Sequence, residues 1–337
     1  MKKWLLFLLM FSFISPVWAE KMATFTDFNK PDNIFIDNEL VVITEGTNIF
    51  LYSPKDFKLL KKFGKQGEGP QEFIVDSYNP LRIKLQPDYI QVNSLRKISY
   101  YTRKGDYIKE LKHNIYFGFA DFFPIGDQFV GFELEQKDQK TFLLASMYDA
   151  NLQKIKEFYR KKMPPRQGQK FRILEESVYI CTAGDKIFLD GDTDFIINIF
   201  DKKGEKCFAI QPKYEKLKFT DKDKDDILNY FQTNPNSKPY IEQIKSNLIY
   251  PDYFPAVRNF IAVDQKLYVQ LFSKKEGKTE FYIFDQDGKF LEKVWLPIKI
   301  TNPVEPLQLY TIYNGKLYQL IENIDEENWE LHVNDIK

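Results

Sequence analysis

One arrangement recurs six times along this chain: an apolar run, a short polar tip, a second apolar run and a polar turn. The first three copies are Leu40-Val-Val-Ile with Asn48-Ile-Phe-Leu-Tyr, Tyr89-Ile-Gln-Val with Lys97-Ile-Ser-Tyr-Tyr, and Gln128-Phe-Val-Gly-Phe with Thr141-Phe-Leu-Leu-Ala. The last three are Lys186-Ile-Phe-Leu with Phe195-Ile-Ile-Asn-Ile-Phe, Lys266-Leu-Tyr-Val with Glu280-Phe-Tyr-Ile-Phe, and Lys316-Leu-Tyr-Gln-Leu with Trp329-Glu-Leu-His-Val. Turns follow at Ser53-Pro-Lys-Asp, Arg103-Lys-Gly-Asp, Asp149-Ala-Asn, Asp201-Lys-Lys-Gly and Asp285-Gln-Asp-Gly. Short runs rich in β-branched and aromatic residues predict strands, and their recurrence predicts a repeat architecture. Several runs, 195–200 among them, are continuously apolar, as in sheets covered on both faces. The expectation is an all-β fold, a six-bladed β-propeller, in which radial repetition protects strand edges. The 31 Phe and 20 Tyr of the 337 residues suit it, because the gap between neighbouring blades takes large side chains. A two-domain sandwich is the alternative; it leaves a polar face and more strict alternation.

The sixth copy stops at Asp335 without a third strand, while Met22-Ala-Thr-Phe-Thr-Asp-Phe28 reads as a strand before the first complete unit. We expect this N-terminal segment to close the ring as the outer strand beside residues 328–336. Residues 213–250 interrupt the period between copies four and five and read as helical. Thr220 with Asp223 forms a cap signature, and Ser237 with Pro239 opens a second helix carrying Ile241, Ile244 and Leu248. Without this insert, 280 residues from Glu20 onward give about 47 per blade, against ~40–50 for propeller repeats. Residues 1–19 have the features of a signal peptide: Lys2 and Lys3, an apolar run from Trp4 to Ile14, and Val17-Trp18-Ala19 before the expected cleavage. Eleven residues are too few to span a bilayer, which needs about 20. The expected product is a soluble periplasmic or secreted chain of residues 20–337 with no transmembrane segment.

Three segments carry a family resemblance. Phe63-Gly-Lys-Gln-Gly-Glu-Gly-Pro-Gln-Glu-Phe73 resembles the Gly-rich connector of bacterial extracytoplasmic six-bladed propellers related to NHL repeats. Tyr250-Pro-Asp-Tyr-Phe-Pro-Ala-Val257 is similar to a proline-flanked segment that follows a helical insert in those proteins, and the segment 89–105 resembles the repeat itself. The resemblance implies architecture and an extracytoplasmic location; it implies no particular chemistry.

Charge and motif content exclude several functions. Lys plus Arg equal Asp plus Glu at 48 each, so the basic excess of a nucleic-acid binder is missing. Gly64 and Gly69 have phosphate-loop spacing, but Pro70 and Gln71 stand where Lys and Ser/Thr are required. Asp221, Asp223 and Asp225 begin like a calcium loop, yet Asp226 and Gln232 replace the required Gly and Glu, so a helix start is expected. His113 and His332 are the only histidines, too few for a three-His zinc site, and no Gly-x-Ser-x-Gly element surrounds any Ser. Cys181 and Cys207 are expected on the inner and outer strands of blade four, roughly 14 Å apart, and therefore as free thiols rather than a disulfide.

The remaining candidates lie on strand tips and connectors. The ligand-face set is Arg96, Arg166, Arg172, Asp192, Asp194, Tyr253 and Arg258, with a basic stretch from Lys154 to Arg172 expected as a connector between blades three and four. With no complete catalytic set, the leading expectation is an exported non-enzymatic binding or scaffold propeller without a cofactor, serving a protein, glycan or small ligand. The alternative is a calcium-dependent hydrolase resembling gluconolactonase-type propellers, with Glu45, Asn93 and Asp192 as metal ligands.

Overall fold

The structure, a computed structural model, describes residues 20–76, 79–113, 121–163, 170–174, 177–305 and 308–336. The proposed signal peptide therefore lies outside the described residues. Six four-stranded antiparallel sheets follow one another around an axis. We name these sheets blades 1 to 6. The innermost strands are Asn33–Ile36, Arg82–Leu85, Phe123–Ile125, Tyr179–Ala183, Asn259–Val263 and Tyr310–Tyr313. The predicted apolar pairs form the second and third strand of each blade, and the polar turn leads to the outer strand.

The termini close the ring as expected. Glu20–Phe25 pairs antiparallel with Asn328–Asp335, with Phe25 opposite Trp329, as the fourth strand of blade 6. The seam is then locked from above. Glu45 Oε1 accepts the backbone N–H groups of Asn29 and Lys30 at 2.8 and 2.7 Å, and Trp329 Nε1 donates to the Asn29 carbonyl at 3.0 Å. Below them Phe25, Phe28, Phe50 and Tyr52 pack ring against ring at 4.7 to 5.7 Å between centroids.

Each pair of neighbouring blades shares its own apolar cluster, so the core is a set of radial seams rather than one central mass. Burial on both faces explains why the strand sequences run apolar without alternation. The turn before each outer strand has a second purpose. Asp285 accepts the N–H groups of Asp287 and Lys289 and lets Gly288 turn at φ +81°. An added Cβ on Gly288 would stand 2.8 Å from Phe208 and 3.0 Å from Ile210 of the preceding blade. The glycine serves both the left-handed turn and the approach of one blade to the next.

The interruption is helical. Helix α1 spans Asp221–Thr233 with a full capping box between Thr220 and Asp223. A turn of 3-10 helix over Lys238–Tyr240 precedes α2, Ile241–Asn247. Leu248 ends up in a two-residue strand, Leu248–Ile249, paired in parallel with Phe171–Arg172. Ile227, Phe219, Phe254 and Phe272 bury the insert against blade 5. Two cysteines remain free thiols, Cys181 on the innermost and Cys207 on the outer strand of blade 4.

Candidate functional site

Strand direction decides which residues meet. Every connector between blades and every tip between second and third strands emerges on one face, and the remaining turns emerge on the other. The six described ligand-face candidates belong to the first face by topology, but the structure distributes them among different tasks. Asp194 accepts from Tyr214 at 3.3 Å and pairs with Lys216 at 2.5 Å, which holds its carboxyl below the usual carboxylate range. Asp192 Oδ1 accepts the N–H groups of Thr193 and Asp194. Tyr253 is half exposed on the same sector, bridged through its backbone to Lys218. Arg172 sits in the short strand beside the insert, and Arg96 occupies the tip of blade 2 at φ +66°, across the ring from blade 5. Arg166 lies outside the described residues. Among the described members of the set only Arg258 is buried, at the entry to the innermost strand of blade 5.

The basic stretch differs from expectation. Lys154–Lys162 is the outer strand of blade 3, not a connector. Three of its cations are answered by acids: Lys154 by Glu133 and Arg160 by Glu135 on the second strand of the blade, Arg160 also by Glu157 of its own strand, and Lys156 by Glu205 in a turn of blade 4. A strand places alternate side chains on one face of its sheet, where acids from the same sheet and the next blade come within reach, which the linear count of charges does not reveal.

The residues named for calcium stand on blades 1, 2 and 4, and none of them lines the axial cavity. Glu45 holds the ring-closing connector, and Asn93 donates to Asp121 at 2.8 Å and to the Phe122 carbonyl at 3.2 Å. Among the described residues no group of three or more His, Cys, Asp or Glu is placed to hold a metal ion.

A large concavity lies on the axis itself. A cavity of about 720 Å³ is walled by the innermost strands of all six blades. Its charged residues, Asp32, Arg82, Lys84 and Asp121, all come from blades 1 to 3 or the connectors leading into them. Lys84 pairs with Asp121 at 2.9 Å and its ammonium sits 3.6 Å from the Phe123 ring centroid. Burial pulls the Lys84 pKa below its ordinary value, and Asp121 opposes that shift. Arg82 donates to Asn33 at 3.3 Å. Burial raises the Asp32 carboxyl, partly offset by the Gly46 N–H it accepts at 2.6 Å. Blades 4 to 6 contribute Ile180, Cys181, Phe260, Ile261, Leu309 and Ile312, with Asn259 and Tyr310 as polar points. Burial pushes the Cys181 thiol up to about 12.

Sequence reading missed Asp32, Arg82, Lys84 and Asp121. The signal available was Arg82-Ile-Lys-Leu85 after Pro80, where charge alternates with apolar residues along a strand.

No family model matches the chain, and no curated protein matches its sequence. Solved structures do resemble it. A candidate exported protein of Bacteroides fragilis superposes with a TM-score of 0.55 at 15% identity, covering 95% of both chains. The WD40 domain of Pan2 from Neurospora crassa gives 0.45 at 10% identity, over 92% of this chain and 91% of that one. The first of these likenesses supports the propeller fold. Among the described residues no helix is long and apolar enough to cross a membrane.

Proposed function

We propose that this chain is an exported, non-enzymatic binding propeller, periplasmic or secreted and related to NHL-repeat proteins, that holds a small ligand in its axial cavity. One observation carries the reading: a cavity of about 720 Å³ with all its charge confined to three of six blades. Ligand sites are concave, largely apolar and furnished with a few fixed polar groups, and this volume falls within their usual range of about 300–1,000 Å³. A one-sided lining orients a guest, whereas a symmetric lining would not. The connector face, with its half-exposed Tyr253, supplies the entrance rim.

Native mass spectrometry of the exported protein tests this. A retained small molecule is expected, and Ala262→Trp, which fills the cavity wall, should abolish retention while the thermal unfolding transition persists. A protein that retains nothing, or retains it equally after Ala262→Trp, overturns the reading. The melting temperature should not respond to EDTA or calcium; stoichiometric calcium with a large loss on chelation would favour the hydrolase instead.

A further inference from the structure

The axial cavity is lined by two acids and two bases, and they do not all answer one another. Lys84 and Asp121 form a pair at 2.9 Å, and Asp121 also accepts from Asn93. Asp32 and Arg82 form no ion pair, with each other or with any other described residue. Arg82 uses one donor on Asn33 Oδ1 at 3.3 Å, and the rest of its guanidinium has no protein acceptor among the described residues. Asp32 accepts the Gly46 N–H through Oδ2 at 2.6 Å and leaves Oδ1 unused among them. Its pKa is raised by burial and lowered by the Gly46 N–H; Glu45 adds to the rise, against the charges of Lys30 and Arg82. The carboxyl and the guanidinium thus feel each other without touching.

Both groups are half-buried and both line the cavity, so neither is sealed in the core. They also stand at the same end of it. Arg82 opens the innermost strand of blade 2, and Asp32 directly precedes that of blade 1, beside the tip at Gly46. These strands approach within 8 Å between Cα atoms. Asn33 ties them together, donating to the Leu81 carbonyl at 3.2 Å while it accepts from Arg82. A purely anionic guest would meet Arg82 but set its charge against Asp32, and a purely cationic guest would do the reverse. Groups left unanswered in a confined site reject the ligand that fails to match them.

We propose that Asp32 and Arg82 hold the ammonium and the carboxylate of a free α-amino acid, whose apolar side chain lies against blades 4 to 6. The guanidinium fork matches a carboxylate in two parallel hydrogen bonds. A single side chain, Asn33, stands between the two charges, which suits a guest with its charges on neighbouring carbons. The termini of a peptide draw apart by about 3.5 Å with each residue added. The facing wall, with Ile180, Phe260, Ile261 and Leu309, suits a branched aliphatic or aromatic side chain. This deepens the axial-cavity reading, rests on it, and keeps the charged contacts on blades 1 and 2.

Calorimetric titration of the intact chain with L-phenylalanine and L-leucine tests the proposal. Each is compared with its amide, phenylalaninamide or leucinamide, and with its deaminated acid, hydrocinnamate or isocaproate. At least one amino acid should bind saturably, about tenfold or more tighter than either of its analogues. Arg82→Gln should weaken the amino acid and the deaminated acid by about tenfold without weakening the amide, with Arg82→Lys intermediate. Asp32→Asn should weaken the amino acid and the amide by about tenfold without weakening the deaminated acid. If either variant fails to fold, the analogue comparison on the unaltered chain decides alone. An analogue binding as tightly as its amino acid, neither amino acid saturating below about 10 mM, or affinity surviving both substitutions overturns the zwitterion site. A small molecule retained in native spectra and lost on Ala262→Trp, with no amino acid bound, overturns this site alone and leaves the cavity reading intact. Nothing retained by the unaltered protein sinks both.

Discussion

Blades 1 to 3 and blades 4 to 6 are built from the same four-stranded sheet, yet they offer the axis different chemistry. The first half brings Asp32, Arg82, Lys84 and Asp121 to the cavity; the second brings branched aliphatics, Phe260 and a thiol, with its cation set back at Arg258. Elsewhere the halves agree. Their seams hold similar apolar clusters, and the Asp-led turn recurs at Asp149, Asp201 and Asp285 on both sides of the division. The repeat therefore constrains what touches a neighbouring blade and leaves the innermost strands free. Function can be varied there without altering the ring.

Removing one member of the Lys84–Asp121 pair should have the largest effect. Both side chains are 18% exposed, so each relieves the other's desolvation, and Asp121 also accepts from Asn93. Asp121→Ala should destabilise the fold by about 3 kcal/mol, with Lys84→Met similar, and the double substitution Lys84→Met/Asp121→Ala should recover part of the loss. Urea unfolding measures all three. If the two single losses simply add, the polar half is a set of independent surface charges, and the contrast between halves fails.

The apolar half holds its own buried carboxyl, and its effect has the opposite sign. Asp190 is 2% exposed; burial raises its pKa to about 8 from 3.8, against the N–H of Asp192 and the charge of Lys161. An acid whose folded pKa is raised stabilises fully below the unfolded value and loses that contribution as pH climbs toward the folded one. Stability should therefore fall between about pH 4 and pH 8 through this group. Asp190→Asn should remove that slope and raise stability near pH 8 by about 2 kcal/mol. Unfolding series across this range check it; an unchanged slope would mean the carboxyl is hydrated in the folded state.

Most of the fold was legible in the sequence, and the cavity was not, for one reason. Second and third strands carry the apolar signal because both their faces are buried, and the terminal closure could be read from the strand missing after Trp329. Helix α1 announced itself through Thr220 and Asp223. The innermost strands carry no common signature, since Arg82-Ile-Lys-Leu and Asn259-Phe-Ile-Ala share only a buried apolar position. Which tips, carboxylates and cations share a neighbourhood depends on blade order, which places Glu45 and Asp192 on opposed blades. Arg258 was legible as a candidate but not as a buried one, because Gln270 and Phe272 reach it through the register of its own blade and Glu305 through the connector to blade 6.

The smallest expected effect separates the two cysteines. Cys181 lies on the cavity wall opposite the charged half, yet burial pushes its thiol up to about 12, and the charge of Lys84 offsets this only in part. The thiolate is the reactive form, so near pH 8 a negligible fraction of Cys181 is available. Cys207 is exposed on the outer strand of the same blade. Iodoacetamide on the folded protein should modify Cys207 and spare Cys181, and denaturation should expose both. Cys181→Ala should cost about 1 kcal/mol or less, because a thiol bordering a cavity leaves little packing to lose. Equal labelling of the two in the folded state would show a cavity wall polar enough to ionise a thiol. That would erase the chemical difference between the halves at the point where they face each other.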